Sequence, residues 1–414
     1  MSTDLIGVLV LVAVFVLSAM SGVNMGILAV VSAFLFGTVW LGHPAKEVLA
    51  GFPADMFVVL VAVTFLFGIA RTNGTVDWLV HATVRAAGNR HGVVPWIMFL
   101  LAAALCATGA ASPAAVAILA PIGITFAVRH RLSPLYVGLM AVNGAAAGSF
   151  APTGILGGIV NSSLEANHLR VGGGALFVGT FAVNAAAAVI TWLLFGRRRR
   201  GAPLSAVPQP DAIVPTAPAL GIEQAATLVA LVLMVVGTTL LGLDTGLFAL
   251  TLAAVLALVF RSTAQRASKE IAWPVVMLVC GIVTYITLLQ RLGLVDSLGE
   301  KIAMVGAPLV AALLICYVAG VVSAFASTTG ILGALMPLAA PFLASGSIAT
   351  TGMVIALAAA AVVVDASPFS TNGALVVANS PEGIRAETYR GLLRWGAGVC
   401  AIAPFAVWTV FVAI

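Results

Sequence analysis

The feature that most restricts how this chain can fold is a polar interruption inside a long apolar run near its C-terminus. Residues 365–373 read Asp-Ala-Ser-Pro-Phe-Ser-Thr-Asn-Gly, with apolar residues before them from about Ile348 and after them through Val377. A helix in lipid must satisfy its backbone polar groups internally, so a break at mid-depth is tolerated only where it faces protein or a wet cavity. Pro368 removes a helical donor. The segment therefore predicts a discontinuous membrane helix.

The composition places the whole chain among polytopic membrane proteins. Its 414 residues are 62% hydrophobic and only 8% charged, whereas soluble domains carry about 25% charged residues. At about 20 residues per span, this length allows roughly ten spans and no sizeable soluble domain. The basic residues lie in short loops, where they orient a membrane protein, so we expect the lipid bilayer and not a nucleic acid as the partner.

The order of apolar segments predicts an all-α fold of two repeats, residues 1–196 and 221–414, joined by a cytoplasmic linker at 197–220. Each repeat has three scaffold spans, an interfacial amphipathic segment, a re-entrant helical hairpin, a broken span and a final span. In the first repeat these cover 5–70, 75–90, 93–129, 134–163 and 173–196. In the second they cover 221–290, 293–305, 307–343, 348–379 and 391–412.

A shift of 216 positions aligns the two repeats without a gap, pairing Ser112 with Thr328, Pro121 with Pro337, Pro152 with Pro368 and Gly157 with Gly373. Such self-similarity indicates an internal repeat. Each repeat has five spans, an odd number, so the second must enter the membrane from the opposite side. Inverted repeats of this kind are typical of secondary transporters that work by alternating access.

The hairpins are predicted from the length of their arms. Segments 93–107 and 114–128 would each be about 22 Å long as helices, too short for a hydrocarbon core of about 30 Å. The tip between them, Thr108 to Pro113, has no charge to mark a membrane surface. We therefore expect a re-entrant hairpin, with a pair of short spans and a small loop as the alternative.

Loop charges orient the chain. With the linker inside the cell, both termini lie outside, the first hairpin is on the cytoplasmic side and the second on the outer side. Fifteen of the nineteen lysines and arginines are then cytoplasmic, and only four are external: Lys46, Arg170, Arg291 and Lys301. This distribution satisfies the positive-inside rule.

Polar side chains at the two hairpin tips and the two breaks are the candidate binding residues. Half-helix N-termini there present unpaired N–H groups and a partial positive charge, which suit a small anion. The predicted substrate-binding residues are Ser112, Thr153, Ser327, Thr328, Thr329, Ser370, Thr371 and Asn372. The alternative for each of them is close packing and interhelical hydrogen bonding.

Asp365 is the most specific single candidate, because ionisable residues inside a membrane are functional candidates by default. A carboxylate beside an anion site repels the substrate unless it is protonated or paired with a cation. We therefore expect it to couple transport to Na⁺ or H⁺, together with Thr108, Ser149 and Asn143. The alternative is a structural acid capped by the neighbouring helix.

The sequence predicts no enzyme, no catalytic residue, no resident metal and no organic cofactor. The four cysteines are scattered singly and the five histidines fall in or near predicted loops, without metal-ligand spacing. A membrane enzyme is the competing class, and the sequence offers no catalytic His, Cys or acid constellation for one.

Several motifs resemble the ion transporter superfamily, particularly its divalent anion/sodium symporters. Those proteins carry Ser-Asn-Thr at each hairpin tip, about ten residues before a proline, and a Pro-x-Gly-Thr break. Here the similar elements are Ser327-Thr-Thr before Pro337, Ala111-Ser-Pro before Pro121, and Pro368-Phe-Ser-Thr. Residues 51–78 and 143–161 resemble the N-terminal region of the MatC dicarboxylate (malonate) carriers still more closely.

This resemblance implies a secondary active transporter of malonate or a C4 dicarboxylate in the bacterial inner membrane. It also implies coupling to a cation, an elevator mechanism and a homodimer formed through the scaffold spans. The alternative is the large membrane subunit of a tripartite carrier that depends on a solute-binding protein. Neither tip has the family's asparagine, and Ile155 matches Thr371, so the family's sodium sites do not carry over intact.

Overall fold

The computed structural model describes residues 3–87, 92–129, 132–169, 171–196, 220–294, 308–325, 327–344, 346 and 348–414. Nearly all of the predicted linker and most of the predicted segment 293–305 lie outside these ranges. The described residues form helices joined by short turns, with no strand among them. The predicted all-α class is confirmed.

The described residues of the first half of the chain form ten helices. They are α1 (Thr3–Ser21), α2 (Met25–Phe34), α3 (Ala45–Leu49), α4 (Ala54–Thr72), α5 (Thr75–Ala87), α6 (Val94–Ala107), α7 (Ser112–Arg129), α8 (Pro134–Gly148), α9 (Ile155–Ala166) and α10 (Gly173–Thr191). Wider π-helical turns extend α2 to Trp40 and α10 to Gly196.

The described helices of the second half are α11 (Ile222–Thr239), α12 (Thr245–Val259), α13 (Arg261–Ala267), α14 (Trp273–Arg291), α15 (Pro308–Phe325), α16 (Thr328–Ala344), α17 (Thr350–Val363), α18 (Thr371–Ala378) and α19 (Glu382–Trp408). A 3₁₀ turn at Val364–Ala366 follows α17, and a π-helical turn extends α19 to Ala413.

The helix lengths fit a multi-pass membrane protein. Among the described residues, six segments are long and apolar enough to cross a membrane: Ala54–Thr72, Gly174–Gly196, Ile222–Thr239, Trp273–Arg291, Thr350–Ala378 and Glu382–Ala413. The first hairpin arm, α6, has only 14 residues and is about 21 Å long. It packs against α7 across a four-residue turn. At that turn Gly109 has φ 101° and lies against Val63 of α4, where a Cβ would come within 2.1 Å of the valine.

The scaffold helices of the two halves make corresponding contacts with each other. Helix α4 packs on α12, and α14 packs on α2. The second contact is a close approach of backbones, since a Cβ on Gly26 would lie 1.9 Å from the Met277 carbonyl oxygen and one on Gly281 would lie 2.0 Å from that of Gly26. Small residues permit this packing in membranes, where association depends on van der Waals contact.

The helix boundaries follow the 216-residue shift. Helices α7, α8 and α9 begin at 112, 134 and 155, while α16, α17 and α18 begin at 328, 350 and 371. Each half thus has a hairpin arm followed by a helix that breaks and restarts. These bounds support the predicted repeat; its inverted orientation stays a prediction.

One glycine in each break has no room for a side chain. A Cβ on Gly157 would lie 2.2 Å from the Ala151 carbonyl oxygen, and one on Gly373 would lie 1.9 Å from that of Ser367. Both oxygens precede their glycine by six residues, so the two breaks share the same close turn. Any side chain at these positions must open the break.

We expect Gly157→Ala and Gly373→Ala each to destabilise the protein by roughly 1–3 kcal/mol, within the usual range for disrupted packing. Thermal unfolding of the purified protein in detergent measures this. The matched control is Gly398→Ala in α19, where no atom lies within 4 Å of the added carbon. There the change should be neutral or slightly stabilising, because alanine favours the helix. Equal melting temperatures for all three variants would contradict the close turn.

Candidate functional site

The break after α17 is held together by the hydroxyl of Ser370. This oxygen accepts a hydrogen bond from the Gly373 amide at 3.2 Å, and its single proton is shared between the Ser367 carbonyl, at 2.7 Å, and the Asp365 carbonyl. It therefore caps the N-terminus of α18 and satisfies carbonyls freed by the break. Because these bonds occupy the hydroxyl, Ser370 positions the break.

Asn372 links this break to the first hairpin. It lies in the first turn of α18 and is 0% exposed. Its Nδ2 donates to the Asp365 carboxylate oxygen Oδ2 at 3.0 Å and to the hydroxyl of Ser112, the first residue of α7, at 2.7 Å. One amide group thus joins a hairpin tip of the first half to the break of the second.

The other amide atom of Asn372 is unpaired. Its Oδ1 is buried and accepts no hydrogen bond from any residue that the structure describes. A buried acceptor without a partner costs about 1–3 kcal/mol, so native structures keep such groups mostly where a ligand, an ion or water uses them. Oδ1 is therefore a free acceptor beside a carboxylate.

The second hairpin reaches the same carboxylate. Thr328, the first residue of α16, is 5% exposed, and its hydroxyl lies 2.8 Å from the hydroxyl of Ser323. Thr328 also forms a side-chain hydrogen bond with Asp365. Both hairpin tips and the break therefore meet at Asp365 and Asn372. Ser323 was not predicted; its only signal in the sequence is a hydroxyl five residues before the tip.

Three helices begin within this cluster: α7 at Ser112, α16 at Thr328 and α18 at Thr371. Helix N-termini carry unpaired N–H groups and about half a positive charge each. They offset the negative charge of Asp365 and leave donors for an anion. We call the set of Asp365, Asn372, Ser112, Thr328 and Ser323 the tip network.

The reciprocal arrangement extends to the breaks. Helix α7 of the first hairpin packs on α18, and α16 of the second hairpin packs on α9. Each hairpin therefore contacts the break of the other half of the chain.

The first break has no comparable polar network. Thr153 is buried and donates to the carbonyl of Ala107 at the end of α6. Ser149 and Thr108 donate to carbonyls of their own helices, Ala145 at 2.7 Å and Leu105 at 2.9 Å. Leu156 stands 216 positions before Asn372. The charge and the free amide oxygen thus belong to one break alone.

The remaining predicted residues differ in placement. Asn143 is 1% exposed, and its Nδ2 donates to the Thr191 hydroxyl at 3.4 Å. It fastens α8 to α10, and the structure does not bring it to the tip network. Ser327 and Thr371 are exposed and Thr329 is half-buried, which leaves these side chains accessible to a ligand.

No group of three or more His, Cys, Asp or Glu side chains that could hold a metal occurs in the described part of the chain. Cys106, Cys280 and Cys316 are buried and Cys400 is half-buried, all as free thiols. Cys106 also forms a side-chain hydrogen bond with Ser149 and lies within electrostatic range of Asp365.

Comparisons with known proteins find a family model and a solved structure that are similar to this chain. Residues 1–149 match the family model described as "Dicarboxylate carrier protein MatC N-terminus", which confirms the resemblance seen in the sequence. The fold is similar to that of the Alcanivorax borkumensis YdaH transporter, with a TM-score of 0.58 and 17% identity over 87% of this chain and 86% of that one. No curated protein matches the chain significantly. The matched family and the structural neighbour are transporters and not enzymes, which agrees with the prediction.

If the hydrogen bond between Asn372 and Ser112 couples the two halves of the chain, the effects of Ser112→Ala and Asn372→Ala on the free energy of unfolding should not be additive. We expect a coupling of about 0.5–1.5 kcal/mol in unfolding free energy, the usual net value of one hydrogen bond. Thermal unfolding of both single variants and the double variant measures it. A control cycle pairs Ser112→Ala with Asn184→Ala, whose Nδ2 donates within its own helix to Thr180. Additivity in both cycles would show that the bond does not connect the halves.

Proposed function

We propose that this chain is a secondary active transporter that carries a small dicarboxylate, malonate or a C4 dicarboxylate, across the bacterial inner membrane, with Na⁺ or H⁺ as the coupling ion. The observation that supports this most is the meeting of two hairpin tips with one helix break at Asp365 and Asn372. Discontinuous helices of this kind hold substrates and ions in secondary transporters.

The substrate site in this proposal is built from helix N-termini and hydroxyl groups. The tip network has no arginine or lysine among its described members, so a dicarboxylate would bind to backbone N–H groups at the starts of α7, α16 and α18. Ser112, Thr329, Ser327 and Thr371 would add side-chain donors. Thr328 and Asn372 would take part by orienting the site, because their polar hydrogens are already bonded to Asp365 and Ser112. Thr153 and Ser370 would shape the site, because their hydroxyls already donate to nearby carbonyls.

The coupling site is centred on Asp365. Its carboxylate and the free Oδ1 of Asn372 offer two oxygen ligands of the kind that bind hard cations. Either a proton on Asp365 or a sodium ion beside it would remove the repulsion between this carboxylate and an incoming anion. Ser149 and Thr108 would assist from the first break and tip, and Asn143 would hold α8 against α10.

The proposed orientation has both termini outside and the two repeats inverted. In support, the structure pairs side chains that the loop charges assign to the same side. Arg71 donates to Glu270 at 2.7 Å, both predicted to be cytoplasmic. Arg291 donates to the carbonyls of Glu47 at 3.1 Å and Ala50 at 2.9 Å, all predicted to be external.

The proposed mechanism is an elevator. The hairpins and broken spans would move across the membrane against a scaffold of α1–α4 and α11–α14. The scaffold would be dimeric. The MatC match over the first 149 residues supports the dicarboxylate class.

Purified protein reconstituted alone into liposomes should accumulate labelled malonate when a sodium or a pH gradient is imposed. In this assay the imposed cation gradient supplies the driving force, so accumulation above equilibrium requires that malonate entry is coupled to that cation. The gradient that drives uptake identifies the coupling ion. Absence of both uptake and malonate–malonate exchange would contradict malonate as substrate or show that a solute-binding protein is required.

In the same assay, Asp365→Asn should abolish gradient-driven accumulation and retain malonate–malonate exchange. The asparagine oxygen still accepts the hydrogen bond of Asn372, but it cannot take up a proton or neutralise a sodium ion. Asp55→Asn in the exposed first turn of α4 is the matched control. Unchanged accumulation in Asp365→Asn would remove the coupling role.

A further inference from the structure

A concave region of the molecule lies between α10 and α19, and no residue of the tip network lines it. It is a cleft of about 1400 Å³, larger than the roughly 300–1,000 Å³ of typical small-molecule pockets. Its walls are mainly aliphatic, with Ile190, Leu194, Ile402 and Val410 among the lining residues. A dicarboxylate of a few atoms would not fill it, and its charged groups would have no partners along these walls.

One end of the cleft is basic. Arg390 and Arg394 both line it, one turn apart on the same face of α19. Both side chains are exposed, and within the described part of the chain no hydrogen bond or ion pair engages either guanidinium group. Glu387 also lines this end and has an interaction of its own. Two cationic groups without a described partner therefore line this end of the cleft.

The basic end coincides with the start of the apolar part of α19. The helix is polar from Glu382 to Arg394 and apolar from Trp395 onward. The cleft follows α19 from Arg394 to Val410, roughly 24 Å along the helix axis. One leaflet of the hydrocarbon core is about 15 Å thick, half of the full core. The arginines thus lie at headgroup level, and the aliphatic walls of the cleft are longer than the thickness of one leaflet, so they can contact the full length of an acyl chain.

We propose that this cleft is a binding site for an anionic glycerophospholipid, with the phosphate between Arg390 and Arg394 and the acyl chains along α10 and α19. The two arginines at one end complement the negative charge of the headgroup. The apolar wall beyond them is long enough for the acyl chains. Basic pockets between membrane helices bind anionic headgroups in this way. In the proposed orientation the arginines face the cytoplasmic leaflet.

A lipid bound in the cleft would contact the helices that position the break. Val363, the last residue of α17 before the 3₁₀ turn that holds Asp365, lines the cleft. At Gly396, α19 lies so close to the break that a Cβ would come within 3.2 Å of the Ser367 Cα. A lipid in the cleft would therefore press on the helices that position the break, and its binding would stabilise them.

The test uses the purified full chain, delipidated in a neutral detergent and titrated with phosphatidylglycerol or with phosphatidylcholine of the same acyl chains. Native mass spectrometry measures the bound lipid. We expect retained phosphatidylglycerol and little phosphatidylcholine. Arg390→Gln/Arg394→Gln should weaken phosphatidylglycerol binding about 30-fold, because each basic residue near an anionic lipid contributes roughly fivefold.

Two matched controls accompany this variant. Arg261→Gln/Arg266→Gln removes the same charge from α13, outside the cleft, and should leave binding within about twofold of wild type. Gly398→Trp fills the cleft and leaves both arginines, while Gly383→Trp adds the same side chain outside it; neither glycine has an atom within 4 Å of the added carbon. Only Gly398→Trp should weaken binding.

Three results would overturn the proposal. The first is wild-type affinity for phosphatidylglycerol in both Arg390→Gln/Arg394→Gln and Gly398→Trp. The second is equal binding of phosphatidylcholine and phosphatidylglycerol. The third is full displacement by millimolar inorganic phosphate, which would make the arginine pair a phosphate site without a lipid. None of these measurements depends on transport, so their outcome is separate from that of the proposed function.

Discussion

The structure depends on how the helix break at residues 364–370 satisfies its backbone inside a membrane. A break at that depth frees carbonyl and amide groups that lipid cannot bind. The Ser370 hydroxyl accepts from the Gly373 amide and bonds to two carbonyls, so neighbouring residues satisfy most of the backbone groups that the break frees. The absence of a side chain at Gly373 then lets the chain turn tightly over the Ser367 carbonyl. These local hydrogen bonds do not compensate the charge of the Asp365 carboxylate.

That charge explains why both hairpins come to the same place. A carboxylate removed from water is costly unless it is paired or hydrogen-bonded. Asp365 receives a bond from Asn372 and one from Thr328, and three helix N-termini surround it. The first break has Ser149 in the matching position and leucine in place of Asn372. It needs no such compensation, and its hydroxyls bond to nearby carbonyls. The two halves thus share a fold but differ in chemistry.

Much of this organisation could be predicted because membrane helices are long and apolar and because the chain repeats. The shift that aligns the prolines and glycines also relates the starts of α7, α8 and α9 to those of their counterparts. The short helices α3 and α13 were not predicted, since five and seven mostly surface residues leave little periodic signal. The Asn372–Ser112 bond joins residues 260 positions apart, and only the three-dimensional convergence of a tip and a break places them together. Asn143 was expected near the coupling site but is bonded to Thr191, a partner that helix packing alone determines.

The asymmetry of the two breaks bears on how an ion and an anion would be linked in the proposed function. In that proposal, helix N-termini would attract a dicarboxylate and the nearby Asp365 would repel it. Both effects would act on the same region, because Asn372 bonds to Asp365 while its own free oxygen lies in the same amide group. A cation at that carboxylate would cancel the repulsion, and the two binding events would then be coupled through a single free-energy term. Had both breaks carried an acid, two charges would have had to be neutralised together. With a single acid on one repeat, the proposed site would need only one cation to admit an anion.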